Sequence, residues 1–216
     1  MAELRPVALP PAERTIGQLV AESIRFYGEH FWNSLALGLA PAIAAVVGAN
    51  VSRRTALLLS PTAFGALLSV SFVYASVLVL GSNPARRRLV LAWLAGWLVL
   101  APMSFLVLAY VLPGLVWLGA LALLVPVLVA ERLPLREAVS RAWRLARGDV
   151  VHQVGSLLTL VIVVFLTQAV LAFILRGFGD AAEWVAYFLA SVVVSPLLFI
   201  GTALLYVDQA ARVDVE

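Results

Sequence analysis

The chain has no cysteine and no lysine, and only 12% of its residues are charged. Without cysteine there can be no disulfide, no thiolate nucleophile and no cysteine-ligated metal. The redox compartment leaves no trace for the same reason. The 15 basic residues are all arginine, which we read as codon bias rather than as an arginine-recognition site. A net charge of +3 is too small to point to nucleic acid. What fills the chain is apolar: 63% of its 216 residues are hydrophobic, and the mean hydropathy is +1.02. A water-soluble domain cannot hide so much apolar surface, because its outer faces must meet water. Lipid is therefore the solvent that this composition implies.

Motifs of catalysis are missing too. There are no paired carboxylates, and neither HExxH, GxSxG nor a phosphate-cradling P-loop occurs. Gly177-Phe178-Gly179-Asp180 is loop glycine, not a phosphate fingerprint. The sequence thus predicts no enzyme, no cofactor and no catalytic or metal-ligating residue. His30 and His152 each begin a span beside an acid, Glu29 and Asp149. Imidazole and carboxylate could share a metal, but solvated interfacial histidines are the commoner case, and no metal site is assigned.

The hydrophobic pattern predicts an all-α polytopic membrane bundle of six transmembrane helices with two inner-face amphipathic helices. Residues 1–14, polar and proline-rich, read as a flexible cytoplasmic tail without a signal-peptide pattern. Residues 15–207 form a single transmembrane domain, and 208–216 a cytoplasmic tail. Within the domain, 15–30 is amphipathic, with Thr15 and Gln18 at capping-box spacing. Ile16, Leu19, Val20, Ile24 and Tyr27 share one face; Glu22, Arg25 and Glu29 lie on the other. Such a helix can lie in the interface or pack as a cap on the bundle. Spans follow at about 31–50, 56–80, 89–111 and 115–130. A second amphipathic helix covers 131–148, with Pro134 in its first turn and Gly148 as its stop. Its apolar face holds Leu135, Ala138, Val139, Ala142, Trp143 and Ala146. The last spans are about 150–175 and 183–207.

The short fourth span raises a parity question, which arginine decides. With six crossings and the N-terminus inside, twelve of the fifteen arginines are cytoplasmic; Arg53, Arg54 and Arg176 are outside. With five crossings the split is seven to eight. The positive-inside rule selects six, both termini cytoplasmic, in the inner (plasma) membrane. Tyr27, Trp32, Trp143 and Tyr206 then fall near the inner interface, and Tyr110, Trp117, Trp184 and Tyr187 near the outer one. Trp93 and Trp97 sit deeper, as packing residues.

Ala36, Ala40, Ala44 and Gly48 form a helix-packing ladder of small residues, a pattern that lets helices approach closely in lipid. Gly65 with Ser69, and Ala92 with Gly96, repeat it. Pro41, Pro61, Pro102, Pro126 and Pro196 lie inside five spans, where each removes a backbone donor and kinks the helix. Freed carbonyls can bind an ion or substrate, as in transporters with broken helices. No charged residue lies between the ends of any span, which favours shape over transport. Gln168 and Thr167 are the polar pair nearest mid-span, suited to a polar pathway or to an interhelical contact.

Two stretches resemble the membrane domain of glycerophosphoryl diester phosphodiesterases and related stand-alone bacterial polytopic membrane proteins. Val129-Ala130-Glu131 followed by Arg141-Ala142-Trp143-Arg144-Leu145-Ala146-Arg147-Gly148 is similar to that family's Glu-ended span and Arg-Ser-Trp-x-Leu-x-x-Gly helix, with Ala142 in place of serine. Pro196 through Tyr206-Val207-Asp208 resembles its last span, closing on Tyr-Tyr-Asp-Leu-Arg; only Tyr206 and Asp208 match. The start, Thr15-Ile16-Gly17 to Phe31-Trp32, is also similar. The resemblance implies a layout but no reaction. In that family the phosphodiesterase activity belongs to a separate soluble barrel, for which this chain has no room.

The two amphipathic helices align with each other. Ile16 falls on Leu135, Leu19 on Ala138, Val20 on Val139, Ile24 on Trp143 and Phe31 on Val150. Common amphipathic patterning would give the same match. Arg136, Arg141, Arg144 and Arg147 are candidates for contact with anionic headgroups. The sequence thus points to a non-enzymatic integral membrane protein that organises lipid or a partner protein at the cytoplasmic face. The alternative is a small-molecule transporter or channel using the proline-broken helices. Anionic membrane lipids, a protein partner or a second copy of the chain are the partners this implies; nucleic acid is not.

Overall fold

The computed structural model of the chain describes residues 10–102, 111–175 and 180–214. Arg5, Tyr110, Arg176 and the 177–179 glycine loop lie outside the described residues, as do the side chains of Trp184 and Tyr187. Every element among the described residues is helical. After a short 3-10 turn at Pro11–Glu13 come α1 (Ile16–Glu29), α2 (Phe31–Leu37), α3 (Leu39–Asn50) and α4 (Arg53–Leu59). A π turn at Ser60–Phe64 joins α4 to α5 (Gly65–Leu80), and α6 covers Arg86–Leu100. Then follow α7 (Val111–Leu121), α8 (Leu124–Ala130), α9 (Leu135–Gly148), α10 (Val150–Leu175), α11 (Asp180–Val194) and α12 (Pro196–Val213).

Among the described residues, four segments are long and apolar enough to cross a membrane: Phe31–Asn50, Arg53–Leu80, Val150–Leu171 and Phe188–Val213. Val116–Ala130 is apolar but shorter. These spans are consistent with a membrane protein, because only helices satisfy their own backbone groups in hydrocarbon.

Proline sets the breaks. Pro41, Pro126 and Pro196 stand at or just beyond the junctions α2–α3, α7–α8 and α11–α12; Pro61 sits in the π turn and Pro102 follows α6. Lacking an N–H, each leaves the carbonyl four residues earlier without its usual donor. Two of these carbonyls have other uses. Leu37 O, freed by Pro41, accepts from Ser71 Oγ of α5 at 2.7 Å. Val192 O, freed by Pro196, packs against Gly38 so closely that a Cβ there would overlap it. The kinks thus turn lost intrahelical bonds into interhelical contacts.

The expected ladder on the first span needs correction. The break at Gly38 divides it: Ala36 is exposed, Ala40 is buried, and Ala44 and Gly48 are half-buried. The tight approach is made by Gly38 to α11, with Ala42 fully buried. Small residues do join α5 to α6. A Cβ on Gly96 would collide with Ser69 Oγ, and Ser69 Oγ donates to Trp93 O at 2.6 Å. Trp93 and Trp97 each donate an indole N–H back across the same seam, to Ala66 O and Pro61 O, both at 2.8 Å. Trp117 is bound likewise, to Val99 O. A buried indole needs such an acceptor.

Candidate functional site

One end of the bundle gathers most of the described charge. α12 starts it. Its sequence has no glycine or proline after Gly201, so nothing stops the helix at Tyr206, and it continues to Val213. Asp208 and Gln209, expected in a solvated tail, are fully buried. The helix thus runs past 207, and Asp208, placed in a tail by the sequence, is an ionisable residue buried within it.

Around Asp208 five further polar residues close into a cluster. Arg14 pairs with its Oδ1 at 3.0 Å, with side-chain exposures of 13% and 0%. His152 Nε2 lies 3.8 Å from Asp208 Oδ2. Arg212 donates to Asp149 Oδ2 and to the Arg14 carbonyl, each at 2.6 Å. Gln209 Nε2 donates to the Asp149 carbonyl at 3.1 Å. Asp149 also accepts from the His152 N–H at 2.9 Å, which caps the start of α10. Arg14, expected in a flexible tail, is therefore bound. His152, expected at the interface, is buried, as is Gln153 beside it; Gln153 donates to Gly119 O at 3.1 Å. His30 is exposed and stacks on Phe26, so the two histidines do not share a site. Among the described residues no three candidate ligands gather as for a metal.

A second network adjoins the first. Arg141 clamps Glu131 through Nε at 3.1 and 3.2 Å and donates to Asp214 at 2.8 Å. Tyr206 donates its hydroxyl to Glu131 Oε1 at 3.0 Å. Burial alone would lower the Arg141 pKa. Hydrogen bonds and charge from Asp214 and Glu131 outweigh it and hold the group above its ordinary value. Arg141 is thus committed internally, which removes it from the headgroup candidates. Tyr206, expected as an interfacial anchor, is a buried network member.

The amphipathic helices dock on this end. In α1 the capping box forms: Gln18 N–H donates to Thr15 Oγ1 at 3.4 Å, and Thr15 N–H to Gln18 Oε1 at 2.7 Å. Arg14 meets Asp208, and Ser23 Oγ sits beside Gly201, so α1 runs antiparallel along the last turns of α12. In α9, Ala138, Ala142, Leu145 and Ala146 are buried, while Leu135, Val139 and Trp143 form an exposed apolar strip. Arg136 and Arg147 border that strip and Arg144 lies beyond; all three are exposed. Arg147 lies over the Trp143 ring, 4.9 Å from its centre. Gly148 ends α9 by proximity rather than by a left-handed turn: a Cβ there would meet Val213 Cγ2 at 2.6 Å. Two of the four aligned pairs in α1 and α9 share an environment, while Ile16 and Val20 are half-buried where Leu135 and Val139 are exposed. Leu19 and Ala138 are fully buried, and Ile24 and Trp143 are exposed at 54% and 44%.

Arg88 completes the end by donating to Leu133 O at 3.3 Å, which ties the start of α6 to the α8–α9 connection. Thr167 is exposed and donates to Val163 O of its own helix, and Gln168 is half-buried. Neither is among the walls of the central cavity of about 320 Å³, which include Leu68, Phe72, Leu118, Leu157, Phe199 and Thr202.

The class that these features define is coarse: a helical protein with, among the described residues, four segments long and apolar enough to span a membrane. Compared with models of known families, with characterised proteins and with solved structures, the chain finds no match.

Proposed function

We propose that this protein is a non-enzymatic membrane module that organises anionic lipid at the cytoplasmic face of the plasma membrane, with six crossings and both ends inside. The observation that carries the reading is α9: one face packed on the bundle, an exposed apolar strip, and arginines along the strip's outer edge. That order matches a helix held at the level where acyl chains meet headgroups. Each exposed arginine near an anionic surface contributes about 1 kcal/mol. Six crossings are supported by Arg88 meeting Leu133, since the stretch between them must leave and return to the same end. Transport is the weaker reading, because the central cavity is mostly apolar and Gln168 stands apart from it.

The test uses the full chain in bilayers containing spin-labelled phosphatidylglycerol or phosphatidylcholine. The native protein should immobilise more of the anionic lipid. The triple variant Arg136→Gln, Arg144→Gln, Arg147→Gln should lose most of that preference. Equal association of both lipids with the native protein would overturn the reading.

A further inference from the structure

The start of α6 holds a concentration of positive charge that no carboxylate among the described residues answers. Arg86, Arg87 and Arg88 occupy its first turn, which contains no acid. Their residue before is Ala85, which has no capping oxygen. Positive charge at a helix N-terminus opposes the macrodipole, and the N–H groups of Arg86 and Arg87 have no intrahelical acceptor, whereas that of Arg88 donates to Ala85 O at 2.8 Å. Among the described residues neither Arg86 nor Arg87 has a carboxylate within reach, and Arg88 makes a single bond to a carbonyl. An anion would satisfy all of these groups together.

A second observation identifies what carries the anion. Two apolar grooves run from this turn along α6, one on each side of Val90. The first, about 580 Å³, has Arg87 and Arg88 at its mouth and Leu91, Leu94 and Pro134 along it. The second, about 390 Å³, has Arg86 at its mouth and Val73, Tyr74 and Trp93 along it. Val90 is the shared ridge, itself half exposed. Two grooves of this size diverging from one cationic head have the form of a diacyl molecule with an anionic headgroup.

We infer that the first turn of α6 is a binding site for one anionic diacyl phospholipid, its phosphate on Arg86–Arg88 and its two acyl chains astride Val90. This inference rests on the lipid-organising reading but places a discrete, slowly exchanging lipid on α6, with one groove reaching the Pro134 N-cap of α9. The complementarity is of charge at the mouth and of apolar surface below it, so a free phosphate would use only half the site. A neutral phospholipid would fill the grooves and leave the arginines unanswered.

Native mass spectrometry of the whole protein, titrated with phosphatidylglycerol and with phosphatidylcholine, tests it. One phosphatidylglycerol should stay bound after detergent exchange. Arg86→Gln and Arg87→Gln should each weaken it about fivefold, and Arg87→Lys should restore most of the loss. Leu94→Trp, which blocks one groove without touching charge, should weaken it comparably. The α9 triple glutamine variant should leave this lipid in place while losing the broader anionic preference. Retention undiminished in Arg86→Gln and Arg87→Gln overturns the site, even if α9 still governs the general preference. Displacement of the bound lipid by inorganic phosphate, indifference to Leu94→Trp, or equal retention of phosphatidylcholine overturns it as well.

Discussion

Replacing Asp208 by alanine would remove the fully buried carboxylate that pairs with the Arg14 guanidinium. Breaking a buried pair from one side costs about 3–5 kcal/mol, so Asp208→Ala should sharply lower the detergent melting temperature. A double-mutant cycle with Arg14→Ala should show strong coupling; strict additivity would mean that the pair contributes nothing jointly. Arg132 offers the opposite case. It is the only non-glycine among the described residues with positive φ, at 54°, just past the end of α8. A left-handed backbone costs a residue with a Cβ about 1–2 kcal/mol, so Arg132→Gly should raise the melting temperature, and a fall would show that its side chain carries more than its strain. Neither residue could be judged from its type alone. Asp208 followed a tyrosine near a polar run and read as tail. The signal for its burial was the lack of any helix breaker after Gly201, together with the Tyr206–Asp208 part of the resemblance.

At the level of elements, amphipathic periodicity and proline position were the legible features. The capping box at Thr15 and Gln18, both amphipathic helices and the proline breaks follow from local chemistry, and local chemistry is what a sequence states directly. Which faces meet is a different matter. The every-fourth alanine ladder was a pattern, but the turn at Gly38 rotated Ala36 off it, and no periodicity reports a rotation at a kink. The contact that matters there is Gly38 against the Val192 carbonyl. Gly38→Ala should therefore destabilise more than Ala36→Gly. In a closely packed helix interface the added methyl costs about 1–3 kcal/mol, measurable as a drop in unfolding temperature. Comparable losses from the two changes would argue that α3 and α11 separate easily.

Over the whole molecule, the clustering of arginine at one end was visible in composition, whereas the ion networks that fold Arg14, Arg141 and Arg212 inward were not. Their partners come from segments far apart in the chain, and pairing across such distances leaves no local trace. The absence of cysteine makes orientation easy to measure. Single cysteines placed at Ser52 and Ser140 should react with a membrane-impermeant maleimide from opposite sides of the membrane. Labelling of both from the same side would break the six-crossing reading. The Arg14–Asp208 pair also sets a schedule. Its partners are 194 residues apart, so a ribosome must make every helix between them before α1 can meet its anchor. An early helix must wait for a late one. A protein lacking the final turns of α12 should be inserted yet hold α1 undocked and open to protease, with a clip point near Arg14 that the full-length protein denies.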